Sequence, residues 1–201
     1  MSKKKVADVE HDRFRTHNSQ FGPRDDVVEL DQYWRALDEF VHRFSQVEEA
    51  LQLVLWHYAH VPIPTARALF SGTRVDAAMS QIRRLQTVKP HITQLELDQV
   101  EHVFTQLGKI NKLRNDVVHF GTQTHRPDAF TVTNQLLALT PDKIRETPIS
   151  VEILKDLSSD LVKIATHLMV FRLPPVTAQP RSQKIGKILN AAWRYTPPGP
   201  G

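Results

Sequence analysis

At 201 residues, with 40% hydrophobic and 24% charged, the chain is long enough for one globular domain plus tails and too apolar to be disordered. A net charge of +4 and a sequence pI of about 9.4 permit a polyanionic partner without demanding one. The absence of cysteine excludes a disulfide framework and thiolate chemistry, and fits an intracellular protein.

No run approaches the ~18 to 20 apolar residues of a membrane span. The basic start Met1-Ser2-Lys3-Lys4-Lys5 is followed by no apolar stretch, so it does not read as a signal peptide. The chain therefore reads as cytoplasmic, with no membrane partner. Residues 1–29 are polar and carry Gly22-Pro23, which reads as a flexible N-terminal arm.

From residue 30 to 60, Tyr33, Leu37, Phe40, Phe44, Val47, Leu51, Val54 and Tyr58 recur at helical spacing, with Asp31 as the cap and Pro62 and Pro64 as the stop. Trp34 and Trp56 lie in the same pattern and read as packing residues. Thr65 to Phe70 predicts a short helix broken at Ser71-Gly72. Thr73 with Asp76 reads as the start of a third helix, whose apolar face is Val75, Met79, Ile82 and Leu85 and whose stop is Lys89-Pro90. Thr93 with Glu96 forms a second capping box, opening a long helix over 94–120, and Gly121 supplies its left-handed end.

Between 121 and 149 the pattern weakens. Phe130–Thr133 and Leu136–Leu139 predict a small β-hairpin around Asn134-Gln135, and Pro141 a single helical turn. A last helix over 150–172 has Val151, Leu154, Leu157, Leu161, Ile164, Leu168 and Phe171 on one face, ended by Pro174-Pro175. Residues 173–201 form a Pro/Gly-rich tail, in which Ile185, Ile188, Leu189 and Trp193 predict a short docked helix. The fold class is all-α, a four- to five-helix bundle whose two longest helices run antiparallel, with a β-hairpin insertion near 122–140.

Three polar groups interrupt the apolar faces of the two longest helices. With Leu107 at zero and 3.6 residues per turn, Arg114 falls at about −20°, in the middle of the apolar stripe. Asn111 falls at about 40° on that helix, Asn115 at about 80° and His119 at about 120°. On the first long helix, with Phe44 at zero, Glu48 falls at about 40°, on the inward side, while Glu49 points outward. Two readings of these residues stay open. In one, Glu48 and Arg114 pair in the core and set helix register, and His119 is an ordinary helix-terminal histidine favoured by the helix dipole. In the other, the planar Arg114 fork meets a phosphate, Asn115 orients the imidazole one turn on, and His119 moves protons. The second arrangement suits metal-independent attack on a phosphodiester. His57 and His60 have no third ligand within reach, so no metal or other cofactor is expected. Arg67, Arg74, Arg83 and Arg84 add a basic bias that offers a surface for RNA.

The stretch Arg114-Asn115-Asp116-Val117-Val118-His119, near the end of a bundle helix, resembles the signature of the HEPN superfamily. That signature is an Arg, a polar companion, and a His after four to six intervening residues. The resemblance spans residues 30–172. It implies a HEPN-type bundle with Arg114 and His119 as the catalytic pair and Asn115 as the polar companion. Glu48 and Asn111 join as supporting residues from helical geometry rather than from the motif. The implied activity is that of a metal-independent endoribonuclease of a toxin or phage-defence system. RNA is the implied substrate, a homodimer the implied assembly, and an antitoxin or regulatory protein a further partner. The family also contains catalytically silent interaction modules, which is the alternative reading. A DNA-binding protein is a third, but no recognition helix is visible.

Overall fold

The structure, a computed structural model, describes residues 24–89, 92–120, 122–126, 129–135, 137–171 and 183–198. The expectations placed on the arm before Arg24, on Gly121 and on Pro174-Pro175 lie outside these residues. The described chain is mostly helical. In order it comprises α1 (Arg24–Ala59), α2 (Ile63–Phe70), α3 (Val75–Thr87), α4 (Gln94–Phe120), β1 (Thr122–Arg126), β2 (Ala129–Thr133), β3 (Glu146–Ile149), α5 (Val151–Phe171) and α6 (Gln183–Asn190).

The first helix begins at Arg24, ahead of its expected start at residue 30. Asp31 is therefore inside the helix rather than its cap, and it pairs with Arg35 one turn on, at 2.9 Å. At the far end His60 takes the left-handed conformation, φ 53°, before Pro62 opens α2. Gly72, φ 75°, makes the corresponding turn into α3. That helix has Arg74, not Thr73, as its N-cap residue, and no side chain caps it. Asp76 is drawn away instead to Asn111, as described below. The second capping box forms as expected: the Thr93 backbone N–H donates to Glu96 Oε2 at 2.8 Å, and the Glu96 N–H donates to Thr93 Oγ1 at 3.3 Å.

One apolar core joins the helices. Tyr33, Phe40, Phe44, Leu51 and Leu55 from α1 are buried with Ile82 from α3, Phe104, Leu107 and Ile110 from α4, and Leu154, Leu157 and Leu161 from α5. The helix α1 packs chiefly against α5 and α3. Contacts between α1 and the later chain fix its course. Gln52 donates to the carbonyl of Thr73, Phe44 meets Arg114, and Tyr33 stacks on Phe130 with centroids 3.8 Å apart.

The strands form an antiparallel three-stranded sheet in the order β1-β2-β3. Phe130–Thr133 is a strand as expected, but its partners are residues 122–126 and 146–149 rather than Leu136–Leu139. The reason is local. The backbone N–H groups of Leu137 and Ala138 both donate to the carbonyl of Asn134, folding this stretch into a turn. Leu137 and Leu139 are left on the surface. A 3-10 turn, Pro141–Lys143, stands where Pro141 predicts one.

The C-terminal segment docks on the body. After α6, Asp160 of α5 accepts the backbone N–H groups of Arg194 and Tyr195, each at 2.9 Å. Gln106 of α4 donates to both Asp160 and the carbonyl of Tyr195, again at 2.9 Å. Asp160 and Gln106 are buried, so this network replaces water for the backbone N–H groups of Arg194 and Tyr195 and the Tyr195 carbonyl. Beside it, Trp193 donates to His102 Nε2 at 2.7 Å and lies under the Lys163 ammonium. Lys163 also donates to the carbonyl of Ala191, and burial lowers its pKa below the usual lysine range.

Candidate functional site

The site is built on the last two turns of α4. Up to Ile110 this helix buries a continuous apolar face, but toward its end the face opens: Val117 is buried and Val118 is 50% exposed. Arg114 projects from the middle of this opening face. Its guanidinium lies 5.1 Å from the centroid of the buried Phe44 ring, a cation–π contact across the α1–α4 seam. Its Nη1 donates to Asn115 Oδ1 at 3.2 Å.

Glu48 does not pair with Arg114. Among the described residues no ion pair joins the two; Glu48 stays half-buried on α1, one turn beyond Phe44, while Glu49 is exposed as expected. The aromatic ring, not the carboxylate, supports the cation. Asn111 is buried, but its amide donates to Asp76 Oδ2 on α3 at 3.0 Å. It therefore braces α4 against α3 and stands apart from the site. Asn115 is tied to Arg114 rather than holding the imidazole. His119 is exposed in the last turn. Five residues at 100° each put it about 140° round the helix from Arg114. Arg114 thus faces the α1 side and His119 faces solvent.

The flank of α1 next to Phe44 is also open. With Phe44 at zero, Glu48, Val41 and Trp34 fall at about 40°, 60° and 80°. Val41 is 42% and Trp34 53% exposed. Trp34 makes an edge contact with Tyr33, with ring centroids 5.4 Å apart. Trp56 is half-buried, and its indole N–H has no hydrogen-bond partner among the described residues.

Sequence periodicity missed two members of the neighbourhood. Asp116, between Arg114 and His119, lies 3.9 Å from Arg145 of the β2–β3 connection. Arg145 also covers the ring of Phe120, 6.0 Å from its centroid. Asp116 carries a signal only in hindsight, as the acid inside the motif. Arg145, in a stretch without periodicity, carries none. Of the basic residues singled out for RNA, Arg83 is engaged elsewhere: it makes a two-pronged pair with Glu101 and lies over Phe104.

No family model, curated protein or solved structure matches this chain. What the site can do therefore rests on its own groups. Arg114 is a permanent cation on an apolar support, available to a planar anion. His119 is an exposed imidazole at the negative end of a helix dipole. Among the described residues no group of three or more His, Asp or Glu is placed to hold a metal ion, and no helix is long and apolar enough to cross a membrane.

Proposed function

We propose that the protein is a HEPN-like, metal-independent endoribonuclease of a toxin or defence type, acting as a homodimer. The observation that carries this reading is the pairing of a cation, Arg114, held on Phe44 with an exposed imidazole, His119, at the open end of α4. The exposed Val118 next to Arg114 on α4, with Val41 and Trp34 along the adjoining flank of α1, supports a second copy on that face. A dimer also answers the angular problem. Arg114 and His119 diverge on one helix, and a two-fold axis running between the two side chains, rather than through either, would bring the Arg of one chain toward the His of the other.

The chemistry is transesterification. The ribose 2′-oxygen attacks the adjacent phosphorus, and the bond to the 5′-oxygen breaks, leaving a 2′,3′-cyclic phosphate. His119 takes the 2′ proton and, so protonated, delivers it to the departing 5′-oxygen. Arg114 stabilises the charge gathering on the non-bridging oxygens. The need for a 2′-hydroxyl confines the activity to RNA. The test is cleavage of RNA in excess EDTA by the wild type, Arg114→Ala and His119→Ala. The reading predicts activity in the wild type alone; equal behaviour of all three overturns it.

A second reading has one observation in its favour. Arg114 is already engaged by Phe44 and Asn115, which gives it a structural role independent of substrate. On that reading the protein is a non-catalytic HEPN-like interaction module, and its partner is a regulatory or antitoxin-like protein. A stable dimer inert toward RNA supports it.

A further inference from the structure

The flank of α4 turned away from Arg114 carries a second set of groups. Leu113, Asp116 and Phe120, at spacings of three and four, share one side of the helix. Arg145 reaches this side from the β2–β3 connection. Its backbone is held twice by Asn134: the Arg145 N–H donates to Asn134 Oδ1 at 2.7 Å, and the Asn134 N–H donates to the Arg145 carbonyl at 3.4 Å. Asn134 also donates to the carbonyl of Lys143 at 3.1 Å. The root of the side chain is thus fixed, while its head is loosely held. The gap of 3.9 Å to Asp116 is longer than a hydrogen bond, and the Arg145 side chain is 56% exposed. An incoming anion therefore displaces little.

Two residues further on, Thr147 and Pro148 of β3 form one wall of a cleft. Leu113 of α4, Ile153 of α5, and Tyr195 and Thr196 of the docked tail form the others, around a volume of about 140 Å³. That is close to the ~150 Å³ of an apolar cavity that takes a single benzene ring. The lining is mostly apolar and includes three hydroxyl-bearing residues, Thr147, Tyr195 and Thr196. A few polar groups on apolar walls are what a planar heterocycle requires. Asp116 lies 3.9 Å from Arg145 and shares its side of α4 with Leu113, which lines the cleft. It is 18% exposed, so Arg145 shields its charge from an arriving anion.

We infer that this flank is a single-nucleotide subsite, in which Arg145 binds a phosphate of the RNA chain and the cleft seats a one-ring base. The inference rests on the endoribonuclease reading of His119, which adjoins Phe120 and places the subsite next to the cleaved bond. It makes the small sheet between α4 and α5 a substrate-reading element rather than an ornament of the bundle.

The test measures binding of short 2′-O-methyl oligouridylate, oligocytidylate and oligoadenylate, which lack the attacking hydroxyl, to the full chain at several salt concentrations. Arg145→Gln is expected to weaken binding and reduce the slope of log affinity against log salt by about 0.7, one phosphate contact on a single strand. Arg145→Lys is expected to keep that slope. The pyrimidine oligomers are expected to bind more tightly than oligoadenylate. An unchanged slope in Arg145→Gln, whatever its melting temperature, overturns the phosphate role, and equal affinity for all three oligomers overturns the base seat. Absence of binding by the wild type overturns the subsite. Arg145-dependent binding in a protein that cleaves no RNA retires the endoribonuclease reading and leaves the subsite standing.

Discussion

The Arg114 guanidinium rests on the ring of Phe44, 5.1 Å from its centroid, and this contact does the work that an ion pair with Glu48 was expected to do. An aromatic face stabilises a cation without neutralising it. Arg114 therefore keeps its full charge toward an anion, where a carboxylate partner would have competed for the same fork.

Stability measurements on Arg114→Met, Glu48→Gln and the double variant are expected to give a coupling energy below about 0.5 kcal/mol, as for groups that share no bond. A larger coupling shows that the pair forms. Phe44→Leu is expected to cost roughly 1 to 2.5 kcal/mol, the sum of the lost cation–π contact and an imperfect volume match. Chemical denaturation reads both.

Mixing the separately inactive Arg114→Ala and His119→Ala chains is expected to restore RNA cleavage after subunit exchange. Each mixed dimer then holds one site with an intact Arg and an intact His from different chains. Lack of any recovery places both groups of a site on one chain.

Asp160→Asn is expected to release the C-terminal segment. The substitution keeps an acceptor but loses the charge that gathers the N–H groups of Arg194 and Tyr195 and the Gln106 amide, a loss of about 1.5 to 3 kcal/mol. Limited trypsin digestion should cut first at Lys187 and Arg194 in this variant. Unaltered protection there refutes the clamp.

Alkaline pH should weaken the fold through two tyrosines. Burial raises the pKa of Tyr195 above the ordinary 10.0, with a further push from the Asp116 charge. Burial also raises Tyr58, opposed by its hydrogen bond from Gln86. A phenol whose folded pKa is raised binds its proton more tightly in the native state. Its contribution is complete below pH 10.0 and is lost as pH rises through the folded value. Absorbance titration of the phenolates should show late ionisation that Tyr195→Phe reduces, and that variant should lose less stability between neutral and alkaline pH.

His60→Gly is expected to stabilise the protein by up to about 1 kcal/mol, because φ 53° strains any residue that has a Cβ. The shift in thermal midpoint reads it directly.

Helix periodicity and capping chemistry are local, and they were legible in the chain itself. The apolar faces of α1, α3, α4 and α5, the Thr93–Glu96 box, and the placing of Arg114, Asn115 and His119 at the end of a long helix all follow from spacing alone. So does the contrast between Glu48 and Glu49. Tertiary structure alone decided what each polar group meets. Asp76 went to Asn111 rather than to its own helix start, Glu48 lost Arg114 to Phe44, and Phe130 paired with Thr124 and Ile149 rather than within 136–139. Arg145, distant in sequence, came within 3.9 Å of Asp116. Burial repeats with the turn of a helix and leaves a trace in sequence. The partner of a single charge depends on which helices pack together and leaves none.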